Sequence, residues 1–370
     1  MNTKNSITWV TAEYFVDVDL PILPYLSHYY DITWLIIISK RSKIDYTKII
    51  NEKCQNTSIK YKFIYLRNRA GSPKIITDYY KLIKVIKNVG SKLIYYDFGG
   101  IPYYFTLFYP FISKKKSIIA LHNVTTPKQA SNQKISAIYN YFVRHAYKNF
   151  QVFSQSQLHI LEALHPNKNI LYAPLALKDF GEPQTLPNKD ITFLFFGFIR
   201  GYKRVDVLID AAQMAYENTH IKFKVCIAGQ CDNWNEYEKR IKYPDLFDLQ
   251  IRNIPNEEVA DLFGKAHYFV MPYQDIAQSG AMTVGLRYNL PIIASELPAF
   301  KEFMIDKETG FFIEPANKKD LSKIMIYILS NHSSIYNRLR ERQKEYINQT
   351  LSIENITNKY VKYLDSILNI

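Results

Sequence analysis

The chain is 370 residues long, which exceeds the size of one ordinary domain and predicts about two domains. Hydrophobic residues make up 47% of it, so there is enough apolar material for two buried cores, and a disordered chain is excluded. Lys and Arg number 47 against 34 Asp and Glu, and the resulting charge of +13 predicts an anionic partner. Three classes of anionic partner fit this charge: a nucleotide, a nucleic acid and an acidic membrane surface.

The cysteines and the N-terminal sequence indicate a cytoplasmic location. Cys54, Cys226 and Cys231 lack metal-ligand or redox spacing and are expected to be reduced thiols. The first residues do not have the long apolar region and small-residue cleavage site of a signal peptide, and no stretch of about 18 uncharged apolar residues occurs. We therefore expect a protein that is neither secreted nor membrane-spanning.

Both halves of the chain alternate short apolar runs with longer amphipathic stretches, the pattern of buried parallel strands joined by crossover helices. The fold class is therefore predicted to be α/β, with a parallel sheet in each half. After a first strand near the N-terminus, the apolar runs of the first half lie at 32–39, 61–66, 92–97, 117–122 and 151–154. In the second half they lie at 191–197, 223–229, 268–273, 290–296 and 310–315.

A segment rich in proline and polar residues, 172–190, interrupts this alternation and predicts the domain boundary, with a linker at about 176–190. Two terminal helices are expected after the second sheet. Asn317 can cap the first of them, with Asp320 at its third position. The predicted domains are 1–180 and 181–348, followed by a last helix at 349–370.

The strongest local signal lies at 193–212, where an apolar strand ends at Gly197 and a short turn leads into an amphipathic helix. The turn carries Arg200, Gly201 and Lys203. In an open α/β sheet, ligands bind at the carboxyl ends of the strands, where helix N-termini favour negative charge. Two cations at such a turn predict a diphosphate site; the alternative is a pair of surface charges without a ligand.

This stretch resembles glycosyltransferase family 4, in which a glycine-ended strand is followed by an Arg and by a Lys that opens a helix. The later order also resembles the family, with a Pro entering a strand at 291, Glu302, and a Thr-Gly pair ending at Gly310. The resemblance covers 191–330 well and the first 180 residues in outline. It implies GT-B architecture: two Rossmann-like domains whose parallel sheets face each other across a cleft, with the last helix packing back on the first domain.

The resemblance implies that Arg200 and Lys203 hold the diphosphate of a nucleotide-sugar donor. It also implies that Gly197 and Glu302 belong to the same site. One feature departs from the family. Two glutamates with seven residues between them are usual before the Pro-led strand, and their places here hold Ile276 and Val284. The resemblance therefore leaves ribose recognition without an assigned residue.

A Gln-Ser-Gly sequence stands where the family has its paired glutamates, and it is interpreted as a variant of that motif. Gln278, Ser279 and Gly280 open a helix whose backbone N–H groups can bind a phosphate. Asp275 and Gln278 are the candidates for contacts with sugar hydroxyls; the alternative is a loop that binds nothing. Base contacts are predicted from the loop that contains Asn253 and Ile254.

In the first half, the strand at 117–122 delivers His122 and Asn123 to its carboxyl end. His122 resembles the strand-end His of the family, which lies beside the donor sugar and the reacting centre; the alternative is a hydrogen bond to a neighbouring loop. Asn123 is a candidate for binding the acceptor, and so are three carboxylates on the other loops of this edge: Asp17, Asp19 and Asp97. The triplet 17–19 is the one Asp-x-Asp sequence, and because no long strand is predicted before it, it is interpreted as an acceptor-side loop.

Together these patterns predict a retaining glycosyltransferase that uses a nucleoside-diphosphate sugar as co-substrate, with no cofactor and no metal. Arg200 and Lys203 would stabilise the departing diphosphate, and the catalytic set includes His122. The basic charge favours a peripheral enzyme on the inner face of the cell membrane, acting on a lipid-linked saccharide in bacterial surface-polysaccharide synthesis, including O-antigen.

Two alternatives stay open. A nucleotide-sugar epimerase could share the diphosphate site, but it needs acid and base carboxylates beside the sugar, and the missing glutamates count against it. A non-catalytic protein that binds nucleic acid or an anionic surface would explain the charge of +13. No RNA-binding or helix-turn-helix motif supports a nucleic-acid partner, and the Arg200 turn would then have no purpose.

Overall fold

A computed structural model describes residues 4–42, 45–69, 72–98, 102–125, 133–276 and 279–369. The chain divides into two compact units. Unit 1 comprises Met1–Ala176 and Ile353–Ile370, and unit 2 comprises Leu177–Ser352. The sequence boundaries, after residues 180 and 348, lie close to these division points.

Unit 1 contains a seven-stranded parallel sheet with the order β3-β2-β1-β4-β5-β6-β7. Its strands read as nearly continuous apolar runs because helices cover both faces, as the fully buried second half of β2 illustrates. The strands are β1 Ser6–Ala12, β2 Asp31–Ile38, β3 Lys60–Tyr65, β4 Leu93–Asp97, β5 Ser117–Leu121, β6 Asn149–Val152 and β7 Asn169–Tyr172.

Two helical layers enclose this sheet, and each forms its own apolar core with one face. The first layer consists of α1 Val16–Asp19, α2 Leu23–Leu26, α3 Thr47–Cys54 and the C-terminal helix α14 Ile353–Leu368. The second layer consists of α4 Ile75–Val89, α5 Pro102–Leu107, α6 Gln133–Ala146 and α7 Gln155–Leu164.

The C-terminal helix belongs to unit 1 through a buried polar contact as well as apolar packing. Gln151 of β6 donates a hydrogen bond of 2.5 Å from Nε2 to the hydroxyl of Tyr360, and Tyr30 donates one of 2.6 Å to Asp365. The apolar side of the helix enters the core with Ile356 and Leu364. Residues 353–368 are therefore needed to complete the core of a unit that begins at the other end of the chain.

Unit 2 contains a six-stranded parallel sheet with the order β10-β9-β8-β11-β12-β13 around a single large apolar core. Its strands are β8 Thr192–Phe196, β9 Lys224–Ala228, β10 Phe247–Gln250, β11 Tyr268–Met271, β12 Ile292–Ser295 and β13 Gly310–Ile313. Its helices are α8 Val205–Thr219, α9 Asn235–Glu238, α10 Asn256–Lys265, α11 Gly280–Arg287, α12 Pro298–Lys301 and α13 Lys318–Thr350.

The predicted cap of α13 is present, since the side chain of Asn317 accepts hydrogen bonds from the amides of Lys319 and Asp320. Among the described residues, none of the helices has the length and apolar character needed to cross a bilayer.

Candidate functional site

Two glycines at the carboxyl ends of β8 and β9 bring their backbones unusually close together. Gly197 has φ 112° and Gly229 has φ 153°, a region that side-chain-bearing residues rarely adopt. A Cβ atom on Gly229 would lie 2.2 Å from the carbonyl oxygen of Gly197. Glycine at both positions therefore permits this close approach of the two backbones at the point where the turn after β8 begins.

Lys203 is buried beside this glycine pair. Its Nζ atom lies 3.1 Å from the place that a Cβ on Gly197 would occupy, and 5.5 Å from the centre of the Tyr273 ring. Only 9% of the residue is exposed, and its Nζ has no ion pair or hydrogen bond with any described residue. A buried ammonium without a counter-charge is costly, so the position is suited to an anionic ligand.

The protonation of Lys203 reflects this environment. Burial, with a smaller contribution from the positive charge of Arg200, lowers the pKa of Lys203 to about 8. The side chain therefore stays mostly protonated at neutral pH but begins to lose its charge within the range in which enzymes are assayed.

Arg200 precedes Lys203 on the same turn but is exposed to solvent. Its guanidinium stacks on the ring of Phe198 at 4.2 Å and lies 3.5 Å from Asp232, a weak and exposed ion pair. The turn between Arg200 and α8 is a short 3-10 helix at 201–203. The structure thus places two cations at the carboxyl end of β8, one buried and one free to reorient toward a ligand.

The loop between β11 and α11 is tied to this turn. The amide of Gln274 donates a hydrogen bond of 2.7 Å to the carbonyl of Tyr202, and Arg204 donates to the Gln274 side chain at 3.3 Å. α11 begins immediately after this loop, with Ser279 as its N-cap. Because β8 and β11 are neighbouring strands, the N-terminus of α11 and the cationic turn share one edge of the sheet.

The residues predicted around the Gln-Ser-Gly sequence differ in their exposure to solvent. Asp275 is exposed, whereas Ser279 is buried and accepts a hydrogen bond from the amide of Met282. Gln278 lies outside the described residues. Sequence reasoning missed Lys178, whose Nζ lies 3.3 Å from the Cβ position of Gly280, because it treated that segment only as a linker.

The other predicted donor residues lie after two different strands of unit 2, β12 and β10. Glu302 is half-buried at the C-terminus of α12, and its carbonyl accepts a hydrogen bond of 2.7 Å from Tyr346. Asn253 is exposed and Ile254 is half-buried in the segment between β10 and α10. Their contacts with a sugar or a base stay predictions.

In unit 1, His122 follows β5 and is held in a stacked arrangement. Its ring lies between Phe15, at 3.7 Å, and Phe153, at 4.4 Å between centres. Its Nε2 is 2.8 Å from Oδ1 of Asp97, the last residue of β4. β4 and β5 are adjacent in the sheet, which brings together two residues 25 positions apart.

Burial governs the electrostatics of this pair. It lowers the pKa of His122 to about 3 and raises the pKa of Asp97 well above its usual range, and the charge of Asp17 raises it further. Both pKa shifts favour the uncharged forms, a neutral imidazole at His122 and a protonated carboxyl at Asp97. We infer that the Asp97 carboxyl is protonated and donates to Nε2, so that the imidazole carries its hydrogen on Nδ1.

The structure corrects the interpretation of the triplet at 17–19. It lies in the short helix α1, close behind the seven-residue strand β1, so the expectation that no long strand precedes it was wrong. Asp19 is buried, and its Oδ2 accepts a hydrogen bond of 2.6 Å from Thr11, which assigns it to holding α1 against β1. Asp17 is exposed and Asn123 is half-buried, and acceptor binding stays a prediction for both.

Asp97 was predicted to contact the acceptor, but it is fully buried and its Oδ1 is engaged by His122. The geometry favours an indirect role, in which Asp97 fixes the orientation of the imidazole. Phe15 and Phe153, which sandwich that ring, carried no sequence signal that would have singled them out.

Residues 178–350 match the family model for group 1 glycosyl transferases. The match contains the glycine pair, the cationic turn and α11. The chain carries a group 1 glycosyltransferase domain. The predicted enzyme class, a glycosyltransferase, is thereby confirmed for residues 178–350.

Comparison with curated proteins gives one relative of the same kind. The chain is 25% identical over 154 residues to an uncharacterized glycosyltransferase of Methanocaldococcus jannaschii. The similarity covers 41% of this chain and 42% of that protein, so the chain spans less than half the length of this relative.

Solved glycosyltransferase structures share the fold over nearly the whole chain. A glycosyltransferase from Rickettsia africae superposes with a TM-score of 0.71 at 15% identity, covering 100% of this chain and 99% of that one. Anabaena HepE, crystallised with UDP and glucose, superposes with a TM-score of 0.74 at 12% identity, covering 98% of this chain and 100% of that one. Sucrose-phosphate synthase of Thermosynechococcus elongatus superposes with a TM-score of 0.72 at 14% identity, covering 99% of this chain and 100% of that one. The predicted GT-B fold, with two parallel-sheet α/β domains, is confirmed.

Proposed function

We propose that this group 1 glycosyltransferase transfers a glycosyl group from a nucleoside-diphosphate sugar, with retention of anomeric configuration, to a lipid-linked saccharide. The observation that carries the proposal is the buried ammonium of Lys203, which has no counter-charge among the described residues. A diphosphate would supply that counter-charge. Because Gly197 has no side chain, none stands beside the Lys203 ammonium at the carboxyl end of β8.

The chemistry asked of the site is mainly charge stabilisation. As the bond between the sugar and the diphosphate breaks, negative charge develops on the leaving oxygen, and Lys203 and Arg200 would stabilise it. The N-terminus of α11 adds a positive helix end at the same edge. These groups supply the positive charge that the reaction needs, so we propose that it proceeds without a metal ion or a further cofactor.

Donor identity and stereochemistry are supported by similarity. HepE, which shares the fold, was crystallised with UDP and glucose, so UDP-sugars are the first candidates. Retention is supported by the resemblance to family 4, although the paired glutamates of that family are replaced here by Ile276 and Val284. Asp275, Gln278 and Glu302 are proposed to contact the sugar, while Asn253 and Ile254 are proposed to contact the base.

The acceptor is proposed to bind unit 1. His122 would present its Nδ1–H toward the reacting centre, with Asp17 and Asn123 contacting acceptor hydroxyls. A lipid-linked acceptor in bacterial surface-polysaccharide synthesis, including O-antigen, is supported by the charge of +13, which favours an enzyme at the anionic inner face of the cell membrane.

The test is a thermal-shift panel of nucleoside diphosphates and their sugar conjugates, because a ligand that binds only the folded state raises the melting temperature. The panel is run on the natural protein and on Arg200→Ala with Lys203→Ala. A matched control, Lys222→Ala with Lys265→Ala, removes two exposed cations near the amino ends of the strands of unit 2.

Stabilisation by one base, lost in the first double variant and kept in the control, supports the donor site and names the nucleotide. Loss in both variants would point to non-specific charge attraction. No response to any nucleotide would contradict the proposal. Once a donor is known, the anomeric coupling constant of the product, compared with that of the donor, tests retention, and turnover in excess chelator tests metal independence.

A further inference from the structure

The excess charge of the chain is concentrated in one segment. Residues 79–161 contain eleven Lys and Arg but a single acidic residue, Asp97, so they carry +10 of the chain's +13. That one carboxyl group is fully buried against His122. The surface formed by this segment therefore presents cations with no acidic side chain of its own to balance them.

The segment folds into adjoining parts of one helical layer. Tyr79 of α4, Phe105 of α5 and Val143 of α6 all pack into the same core on one face of the sheet of unit 1. Their inward sides are buried, so their outward sides form a common surface. We call this surface the basic face, meaning the outward side of α4 and α6 together with residues 107–116.

The basic face also exposes large apolar side chains. Ile138 is 70% exposed and Phe111 57% exposed, and Tyr141, Tyr80 and Leu107 are each exposed by about half or more. The opposite helical layer differs in charge, since α14 carries Glu354 and Asp365 beside its lysines. Exposed apolar groups and unbalanced cations thus coincide on one side of unit 1.

On the basic face, lysines and aromatic rings are paired in space. The ammonium of Lys84 lies 4.6 Å from the Tyr80 ring, and that of Lys87 lies 5.3 Å from the Phe111 ring. Lys114 lies 4.1 Å from the Tyr109 ring. None of these lysines forms an ion pair with a described carboxylate, so each is available to an external anion.

A cavity of about 220 Å³ opens between the end of α4 and the segment before β5. Its walls are mainly apolar and include Ile83, Ile86 and Tyr104. The exposed Lys87 and Lys116 also line it, together with Ser113. An apolar wall beside two ammonium groups suits an anionic headgroup attached to a hydrocarbon chain.

We propose that the basic face docks on an anionic lipid bilayer. Lysines attract anionic headgroups, while aromatic rings and aliphatic tips enter the interfacial layer. The aliphatic side chains distinguish this partner from a nucleic acid, because Ile138 and Leu107 offer no ring on which a base could stack. This inference rests on the proposed function, because the basic face would make the membrane contact proposed there. Docking can nevertheless be measured without a donor or an acceptor.

The test is co-sedimentation of the full chain with vesicles of phosphatidylcholine alone, or of phosphatidylcholine mixed with phosphatidylglycerol, at low and high salt. We expect binding only to the mixed vesicles and weaker binding at high salt. The variant Lys84→Gln with Lys87→Gln and Lys116→Gln should bind on the order of 100-fold more weakly. A charge-matched control in unit 2, Lys222→Gln with Lys239→Gln and Lys265→Gln, should bind like the natural protein.

A second variant, Phe111→Ser with Ile138→Ser, keeps every charge and should weaken binding to the mixed vesicles by about tenfold or more. All variants change exposed side chains, and an unchanged melting temperature and nucleotide-induced shift would show that both units remain folded. Equal loss in the basic-face and control variants would overturn the proposal, as would binding to a single-stranded oligonucleotide in preference to the mixed vesicles. Because nucleotide binding is read separately, failure of docking and failure of the donor site are distinguishable.

Discussion

Nε2 of His122 and Oδ1 of Asp97 lie 2.8 Å apart in a pocket closed by two aromatic rings. Asp97 is fully buried, and its Oδ2 has no hydrogen-bond partner among the described residues. An ionised carboxylate in this place would leave an oxygen unsatisfied and a charge desolvated. The contact is therefore best described as a neutral hydrogen bond that orients the imidazole.

This description predicts different outcomes for two substitutions of Asp97. Asp97→Asn keeps an N–H donor for Nε2, so the ring should keep its hydrogen on Nδ1 and stability should change little. Asp97→Ala leaves Nε2 without that donor and should lower the free energy of unfolding by about 1–3 kcal/mol. Side-chain ¹⁵N NMR of His122 reports the tautomer, and denaturant titration reports stability. A positively charged His122 in the natural protein, neutralised by Asp97→Asn, would contradict the neutral pair.

The lowered pKa of His122 predicts a contribution to acid sensitivity. The unfolded chain takes up a proton at His122 below its ordinary pKa of about 6.5, whereas the folded chain does not until the pKa of about 3 is approached. Folding is therefore penalised increasingly as pH falls below about 6.5. Between pH 7 and pH 5 the natural protein should lose about 2 kcal/mol more stability than His122→Gln. Equal losses, measured by denaturant titration at each pH, would count against a buried neutral imidazole.

Lys203 predicts a pH dependence of donor binding. Its pKa of about 8 in the free protein means that the ammonium is lost as pH rises from 7 toward 9.5, and with it the attraction for a diphosphate. Affinity should fall over that interval, and binding near pH 8 should take up protons. Lys203→Arg, which stays charged, should remove this dependence even if its affinity is lower. Calorimetry in buffers of different ionisation enthalpy measures the proton uptake, and an unchanged affinity from pH 7 to 9.5 in the natural protein would refute the assignment.

The sequence allowed the sheets and the cationic turn to be predicted, because both depend on local patterns. Buried parallel strands give long apolar runs, and the Gly197 turn combines a strand end, two cations and a helix start within a few residues. The edge strands β7 and β10 were missed by the sequence prediction. Each has only four residues, and polar side chains among them leave no long apolar run. Their pairing depends on the neighbouring strand rather than on their own sequence.

The properties that make the candidate site reactive depended on the fold. No pattern places Asp97 against His122, because their contact follows from the order of strands in the sheet. The burial of Lys203 similarly depends on Tyr273, which lies in the loop after β11, and on the absence of a side chain at Gly197. Asp19 resembled a surface acid in the sequence, but its contact with Thr11 removes it from solvent.

The glycine pair at the strand ends predicts a sharp difference between two alanine substitutions. Gly229→Ala would put a Cβ 2.2 Å from the carbonyl oxygen of Gly197 and force a side chain into φ 153°, so β8 and β9 would have to separate. We expect a loss of about 2–4 kcal/mol in the free energy of unfolding, with weaker donor binding because the Lys203 turn moves with β8. Gly201→Ala is the matched control, since nothing lies within 4 Å of its Cβ position. Denaturant titration and nucleotide-induced thermal shifts on both variants make the comparison. Equal stability of the two would mean that the strand ends tolerate a side chain, and that the close approach of the two backbones does not shape the site.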